Sequence, residues 1–579
     1  MQAVLKLTKY LKPYMAFAII APIMMIIEVS MDLLQPTIMQ HIIDDGIAEN
    51  DMPYIMKMFG LMIVSAVIGL IGGVGCSIYS SRAAVNFASD IRQDLYETIT
   101  YFSSRNKDHF TLGKLITNIT NDVEMVQRAL NMLLKIFVRG PMMFIGAVVI
   151  VFFTARELFP VLLFVVPILA FAMYFFTQLS GKLFRKVQEA IDQVNVRMQE
   201  SLAGIRVIKA YNRKHQQIEQ FTGVNEEVMK RNITADQIIG LLQPITMFVV
   251  NMGMIVALWT GAIKVEGGTL EVGVILAFIN YLMIIMNGLM SSSNVLVQIA
   301  RALPSAERLV EVLEEQTDIK NVEHPITTPI RGEVTFNNVS FSYINSNESV
   351  LKNISFHVNA GETVGIIGMT GSGKSTLVKL LPRLFDVDRG EILIDGQPIQ
   401  QIDLQTLREA IGFAPQKATL FSTTIDENIK YGNANATLEQ LIDSLKQSCA
   451  AEFVEKLPDR EQHQLTQGAT NLSGGQKQRL AMARAFIRKP SILVLDDTTS
   501  AVDSISENTI QKAIAEHFAN STKFIVSSKI SSIRHADQIL VLDDGQLVAQ
   551  GTHDELVNTS DIYQQIVETQ VEKGGVLHE

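Results

Sequence analysis

The sequence has few cysteines and no surplus of basic charge. Only two cysteines, Cys76 and Cys449, occur in 579 residues, and they lie in regions of different character. A disulfide framework and a thiolate metal site are therefore unsupported, and no cluster of cysteine and histidine shows metal-ligand spacing. The formal net charge of −10 argues against a nucleic-acid partner held by a diffuse basic surface.

Charged residues are also absent from several long stretches. Four uncharged runs exceed the roughly 20 residues with which a helix crosses a bilayer: 58–81, 158–181, 237–263 and 272–300. A shorter run at 140–155 is extended by the apolar residues before it, and a sixth at about 15–40 contains Glu28 and Asp32. The pattern predicts six membrane-spanning helices.

The flanking charges predict the orientation of these helices. The connection between the first two helices is acidic, whereas the two long connections at 82–139 and 182–231 carry eight and ten basic residues. Basic segments stay on the cytoplasmic side. We therefore expect a plasma-membrane protein with both termini and both long connections in the cytoplasm. The apolar residues of these connections recur at helical spacing, which predicts that the helices continue out of the membrane.

The sequence pattern of the chain changes at Arg331. Short apolar strands such as "EVTFNNVSF", "TVGIIG", "EILIDG" and "SILVLDD" then alternate with helical segments. This pattern is typical of an α/β domain with a largely parallel sheet. We expect a six-helix α-helical transmembrane domain at 1–318 and an α/β domain at 319–579.

The segment "GMTGSGKST" at 368–376 fits G-x-x-x-x-G-K-[ST] and lies between a strand and a helix. Backbone N–H groups of such a loop surround phosphates, and the lysine reaches the outer ones. The motif predicts that 319–579 is an α/β P-loop nucleotide-binding domain. Its predicted ATP-binding residues are Gly368, Thr370, Gly371, Ser372, Gly373, Lys374, Ser375 and Thr376. Asp496 ends the strand "ILVLD", where it would hold Mg²⁺ together with the Ser375 hydroxyl.

A P-loop and an acidic strand end indicate only a nucleotidase, but "NLSGGQKQRLAMARA" at 471–485 indicates more. It resembles the signature of the ATP-binding cassette (ABC) family. The resemblance implies that the signature binds the ATP held by an opposite cassette, so that two cassettes form two shared sites. The signature residues are Leu472, Ser473, Gly474, Gly475 and Gln476.

The same resemblance assigns further positions. Tyr343 in "FSY" would stack on adenine, although a buried strand tyrosine is the alternative. Gln416 in "GFAPQ" would touch Mg²⁺ and sense the membrane helices, and Asp503 in "SAVD" would communicate between the two sites. In addition, "TLGKLITNITNDVEMV" and "ESLAGIRVIKAYNRK" resemble the intracellular extensions of ABC exporters.

Two residues depart from the family pattern. Asp497 stands where the family has a catalytic glutamate, and Ser528 in "FIVSSKI" replaces the switch histidine. Aspartate is one methylene shorter, which withdraws its carboxylate by about 1 Å and can cost about a hundredfold in rate. The segment "LTQGATN" also departs from the usual "VGERGxN". These departures predict a degenerate ATP site on this chain's own P-loop and an intact signature that completes the site of a different partner.

The sequence is therefore interpreted as one half of a heterodimeric, ATP-hydrolysing exporter of hydrophobic or amphipathic compounds. It resembles the degenerate-site subunit of bacterial multidrug exporters. A lipid or peptide exporter on the same fold is the alternative, since fold does not set substrate. A non-transporting ABC protein and a solute importer are disfavoured, because six predicted spans are fused in line with the cassette.

Glu28 and Asp32 are spaced i, i+4 and share one face of the first predicted span. Carboxylates in a membrane span are costly unless they face a polar cavity or a partner. Two interpretations are open. The pair could be functional, attracting cationic cargo or taking a proton-linked role. It could instead be structural, as a pair with a basic residue or through hydrogen bonds between helices.

Overall fold

The computed structural model describes residues 2–344, 346, 348–499 and 504–574. The chain divides into two compact units, of which the first comprises Met1–Thr100 and Gly113–Glu314. The second comprises Tyr101–Leu112 and Glu315–Glu579. The division falls four residues before the predicted boundary, 314 against 318, and a short segment of the first connection belongs to the second unit.

The amino-terminal half of the chain is helical. Its helices are α1 Gln2–Leu7, α2 Met15–His41, α3 Met52–Thr100, α4 Ser104–His109, α5 Leu112–Thr117, α6 Val123–Thr154, α7 Phe159–Ala203, α8 Ile205–Ala210, α9 Lys214–Gly240, α10 Leu242–Glu266 and α11 Val272–Glu314. Among the described residues, six segments are long and apolar enough to span a membrane: Gln2–Ile47, Met52–Thr100, Leu112–Thr154, Phe159–Ala203, Lys214–Glu266 and Val272–Ser292. The predicted number of spans is confirmed.

Several of these helices are longer than a bilayer is thick. The 49 residues of α3 extend for about 75 Å, against about 30 Å for a hydrocarbon core. The 45 residues of α7 likewise continue into the second long connection. The prediction that the helices continue beyond their apolar runs is therefore confirmed.

Helices α2 and α3 approach closely at Gly72. A Cβ atom at this position would lie 2.8 Å from the carbonyl oxygen of Met24 and 2.9 Å from the backbone nitrogen of Glu28. Small residues allow such close packing in membranes, where lipid provides no hydrophobic drive between helices. The backbone of Glu28 is thus fixed against α3.

The carboxy-terminal half alternates strands and helices, as its sequence predicts. Its elements are β1 Val334–Phe341, β2 Leu351–Val358, β3 Thr363–Gly368, α12 Lys374–Leu380, β4 Arg389–Ile394, β5 Gln397–Pro398, α13 Leu404–Glu409, β6 Ile411–Ala414, α14 Ile425–Lys430, α15 Leu438–Gln447, α16 Ala451–Val454, α17 Gly474–Phe486, β7 Ile492–Asp496, α18 Ser504–His517, β8 Thr522–Val526, β9 Gln538–Asp543, β10 Gln546–Gly551, α19 His553–Thr559 and α20 Asp561–Gly574.

The strands of the described residues form two sheets. One has the order β10-β9-β3-β8-β7-β6 and is parallel except for the pairing of β9 with β10. The other has the order β2-β1-β4-β5 and is antiparallel. The expectation of a largely parallel sheet is correct for "TVGIIG" and "SILVLDD". It is wrong for "EVTFNNVSF" and "EILIDG", which contribute β1 and β4 to the antiparallel sheet.

Candidate functional site

The parallel strands bring the predicted nucleotide residues to one edge of the six-stranded sheet. Strands β3, β6, β7 and β8 run in the same direction, so their carboxyl ends meet at that edge. Ligands of open α/β sheets bind outside the carboxyl ends of the strands. There an open cleft of about 440 Å³ is lined by P-loop residues together with Gln416, Asp497 and Ser528.

The P-loop follows β3 and adopts a conformation that requires glycine. Gly368, Gly371 and Gly373 have φ values of +156°, +89° and +95°. A Cβ at Gly373 would lie 2.8 Å from Cδ2 of Leu351, and one at Gly368 would overlap the carbonyl oxygen of Leu542. A side chain at either position would therefore displace the loop whose backbone N–H groups are predicted to surround the phosphates.

Lys374 begins α12 and turns back over the P-loop. Its Nζ donates to the carbonyl oxygens of Gly368 at 2.7 Å and Met369 at 2.8 Å. Burial lowers the pKa of the Lys374 ammonium, while Asp497 and Asp496 oppose that shift. The lysine is thus held at the cleft. If phosphate oxygens replaced the two carbonyl oxygens there, their negative charge would offset the cost of burying the ammonium group.

Ser375 and Asp496 lie together as predicted. The Ser375 hydroxyl donates to Oδ1 of Asp496 at 2.7 Å. Burial raises the pKa of the Asp496 carboxyl, although the Ser375 hydrogen bond and two nearby lysines oppose the shift. A buried carboxylate next to a hydroxyl is an oxygen donor set that suits Mg²⁺. With the side chain of Gln416 at the same cleft, these residues would hold the ion, which would neutralise phosphate charge there.

The two departing residues line the same cleft. Asp497 follows β7 in a left-handed conformation with φ of +49°, and its N–H donates to the carbonyl oxygen of Val526. Its Oδ2 accepts a hydrogen bond of 3.2 Å from Nε2 of Gln416. Ser528 is exposed, two residues beyond the end of β8. The structure thus brings Asp497, Gln416 and Ser528 together.

Tyr343 lies beside the P-loop rather than deep within the core. Its hydroxyl is 3.1 Å from Oγ1 of Thr376, and its half-buried ring packs edge-on against Phe341 and Phe385. These contacts fix the ring next to the phosphate loop. Stacking on adenine stays a prediction.

The signature forms the start of α17. The Ser473 side chain accepts from the Gln476 N–H, and the Gln476 side chain accepts from the Ser473 N–H at 2.8 Å, which completes a capping box. Leu472 is buried, whereas a Cβ at Gly474 would meet no atom of the described chain within 4 Å. Nothing in that part of the chain therefore requires glycine at 474. Asp503 lies outside the described residues.

Sequence reasoning missed a glutamine that holds the Ser528 segment. Gln570 on α20 accepts from the N–H of Ile530 at 2.9 Å and donates to the carbonyl oxygen of Ser528 at 2.7 Å. On the other side, Lys529 pairs with Glu507 of α18 at 3.2 Å. The backbone of residue 528 is therefore positioned by a residue 42 places away, which no local motif could indicate.

Sequence reasoning also missed the basic partner of Glu28 and Asp32, the two membrane carboxylates. Arg139 on α6 contacts Glu28 through Nη1 at 3.2 Å and Asp32 through Nη2 at 3.3 Å. The Glu28 side chain is 14% exposed, and those of Asp32 and Arg139 are about one third exposed. Of the two open interpretations, this geometry fits the structural pair with a basic residue.

The comparisons with known proteins agree with this architecture. Residues 18–289 match the family described as "ABC transporter transmembrane region", and residues 351–500 match the family described as "ABC transporter". The chain is 38% identical over 570 residues to "Uncharacterized ABC transporter ATP-binding protein YfiB" of Bacillus subtilis, covering 98% of this chain and 99% of that protein.

Two further comparisons cover 98% and 100% of the chain. It is 30% identical to "Putative export ATP-binding/permease protein RT0691" of Rickettsia typhi over 98% of each chain. A solved structure, "Structure of a bacterial Atm1-family ABC exporter with ATP bound", superposes with a TM-score of 0.75 over 100% of this chain and 99% of the other. At 24% identity, that structure shows the fold alone.

Proposed function

The chain belongs to the ABC transporter family as a multi-pass membrane half-transporter, and from this premise we propose that it is one half of a heterodimeric exporter. In this proposal, ATP hydrolysis drives hydrophobic or amphipathic compounds outward across the plasma membrane. Both termini and the cassette lie in the cytoplasm, on the side to which the basic connections point.

The observation that carries the proposal is the make-up of the cleft beside this chain's own P-loop. Asp497 occupies the position from which a carboxylate would orient the attacking water, and its Oδ2 accepts from Gln416 at 3.2 Å. The shorter side chain places this carboxylate about 1 Å further from the phosphate than glutamate would. The small exposed hydroxyl of Ser528 likewise replaces a long imidazole.

The binding parts of the cleft are complete, in contrast to its catalytic parts. The P-loop glycines, Lys374 and the Ser375–Asp496 pair have the geometry that nucleotide binding needs. The signature helix is also complete, with its capping box and open Gly474. This division supports a chain that retains ATP at its own site and contributes its signature to a competent site on the partner.

The proposed cargo follows from the character of the transmembrane region. A hydrophobic or amphipathic compound fits an apolar transmembrane region, and the xenobiotic class of transporter is our first choice. A lipid or peptide exporter is the second candidate, supported by the exporter fold, which serves many substrates.

Copurification with the partner tests the heterodimer. We expect the isolated chain to hydrolyse ATP at least about tenfold more slowly than the copurified pair, because both of its self-paired sites would lack a well-placed carboxylate. Steady-state ATPase across a panel of compounds would then identify stimulating cargo. A Lys374→Ala variant controls for contaminating ATPase. Rapid hydrolysis by the isolated wild-type chain, abolished in that control, would contradict the proposal.

A second prediction separates the two interpretations of the membrane carboxylates. Arg139→Gln leaves Glu28 and Asp32 one helical turn apart without their counter-ion. We expect this variant to lose about 1–3 kcal/mol of stability, the usual cost of an unpartnered, largely buried polar group. The triple variant Arg139→Gln, Glu28→Gln, Asp32→Asn removes all three charges and should regain most of that stability.

Thermal unfolding and transport are measured on the same variants. If the cluster is structural, the triple variant transports cationic and neutral compounds equally well. A selective loss of cationic transport in a stable triple variant would instead assign the carboxylates to cargo. An unchanged unfolding temperature in Arg139→Gln would show that the ion pairs do not hold the helices.

A further inference from the structure

An apolar groove lies beside the amino-terminal segment of the first unit. Its volume of about 200 Å³ is below the roughly 300–1,000 Å³ of sites that enclose a whole small molecule, so it has room for part of a hydrocarbon chain. Helices α3, α6 and α11 form its walls together with α1 and the turn after it. The groove is lined by Val4, Leu7, Thr8, Leu11, Phe87, Val126, Ala129, Leu130, Leu133, Ile299, Ala302, Leu303 and Ala306.

The lining contains almost nothing that could recognise a polar group. Thr8 is its one polar side chain, and the Thr8 hydroxyl already donates to the carbonyl oxygen of Leu5 at 2.6 Å. Val4 and Leu133 are about 40% exposed, whereas Phe87 and Ala306 are buried. The groove is therefore open at its surface, and the part of an occupant that enters it must be hydrocarbon.

The outer side of the same segment is basic. Lys6, Lys9 and Lys12 are all exposed and recur every three residues, while Val4, Leu7 and Leu11 face the groove. Lys6 is paired with Glu314 at 2.6 Å. Among the described residues, Lys9 and Lys12 have no carboxylate within ion-pair distance. Two cations without counter-ions thus lie within one helical turn of the groove.

The height of the groove agrees with a lipid occupant. Phe87 lies six residues, or about 9 Å along α3, beyond the end of the uncharged run at 58–81. Leu133 lies seven residues, or about 10 Å, before the run at 140–155 on α6. Both positions therefore lie close to the headgroup region, which adds about 5–7 Å to each side of the hydrocarbon core, on the side of the basic connections. That leaflet carries the anionic lipids that attract basic segments.

We propose that this groove binds part of one acyl chain of an anionic phospholipid of the cytoplasmic leaflet, with Lys9 and Lys12 contacting the phosphate of that lipid. The small side chains of Ala129, Ala302 and Ala306 leave the room for the chain. The lipid would thereby fasten the amino-terminal segment to α3, α6 and α11. The site does not depend on the heterodimer or on the nature of the cargo.

Native mass spectrometry of the full-length chain tests the site. The probes are dioleoyl phosphatidylglycerol and dioleoyl phosphatidylcholine, which share their acyl chains and differ in net charge. The wild-type chain is expected to retain phosphatidylglycerol in preference to phosphatidylcholine. Lys9→Gln with Lys12→Gln should reduce that preference by about ten- to thirtyfold, the effect of two cations near an anionic surface. A matched control, Lys209→Gln with Lys214→Gln, removes two exposed lysines elsewhere and should leave the preference unchanged.

A second variant tests the groove itself. Ala129→Phe fills it from the half-buried face of α6 and should abolish retention of both lipids. Ile145→Phe adds an aromatic ring on the same helix at a position that is 58% exposed, and should have no effect. Since the lysine variant leaves all packing intact, misfolding of Ala129→Phe would not remove the test. Wild-type lipid retention in both site variants, or displacement of the lipid by a neutral hydrophobic compound, would overturn the proposal.

Discussion

Gly474→Asp in the signature of this chain is expected to lower the ATPase rate of the heterodimer by about a hundredfold to a thousandfold, the usual cost of removing one charge-stabilising contact from a transition state. Asp497→Asn should lower it by less than about threefold. The difference arises because the signature would contact ATP on the partner, whereas Asp497 belongs to the site that we propose to be degenerate. The equivalent glutamate-to-glutamine change in the partner should be as severe as Gly474→Asp.

The choice of Gly474 rests on its surroundings. A Cβ at this position would meet no atom of the described chain within 4 Å, and Gly474 opens α17, where an acidic side chain is favourable for the helix dipole. The substitution should therefore leave the cassette folded. Ser473→Ala is a poorer test, since it also removes the helix cap at a cost of about 1 kcal/mol.

The measurement is steady-state ATPase under saturating ATP, with rate ratios converted to differences in activation free energy. Gly474→Ala is the matched control, because it adds a methyl group without a charge and should be less damaging. Nucleotide binding to this chain should persist in every variant. If Asp497→Asn proves as damaging as the partner's glutamate variant, the site is catalytically required and the asymmetric proposal is wrong.

The sequence predicted the parts of this structure that depend on local patterns. Runs without charge exceed the length of a bilayer span, so the six spans follow from the cost of charge in lipid. The P-loop, Asp496 and Ser528 come after buried parallel strands, so their meeting at one sheet edge follows once those strands are recognised. Sequence alone also marked Asp497 and Ser528, because the family pattern supplies the expected residue at each position.

Contacts between distant residues could not be predicted in the same way. Arg139 lies 107 residues after Asp32, and its pairing depends on how α6 packs against α2. Gln570 bonds the backbone of Ser528 from the last helix, and a glutamine there has no distinguishing neighbours. The antiparallel sheet was missed for a related reason, since the pairing of β1 with β4 joins residues 49 to 60 positions apart.

The structure also indicates how the ATP site at this chain's own P-loop can be made catalytically competent. Asp497→Glu would extend the carboxylate toward the phosphate, and Ser528→His would restore an imidazole at a backbone position that Gln570 already holds. We expect the double variant, measured as the purified dimer of this chain with itself, to hydrolyse ATP about a hundredfold faster than the wild-type dimer. Both sites of that dimer would also have an intact signature.

Three control variants test whether the faster hydrolysis comes from this site. Adding Lys374→Ala should abolish it, because the lysine holds the phosphates. Adding Gln570→Ala should remove a substantial part of it while leaving the wild-type rate nearly unchanged, since only an imidazole at 528 needs a fixed backbone. Gln570→Glu keeps the acceptor for the Ile530 N–H but replaces the donor to the Ser528 carbonyl oxygen, so its ATPase rate should be intermediate.

A double variant that is dimeric and binds ATP, but hydrolyses it no faster than the wild-type chain, would contradict this prediction. Asp497 and Ser528 would then not limit the site, and the "LTQGATN" segment before the signature would be the first place to substitute.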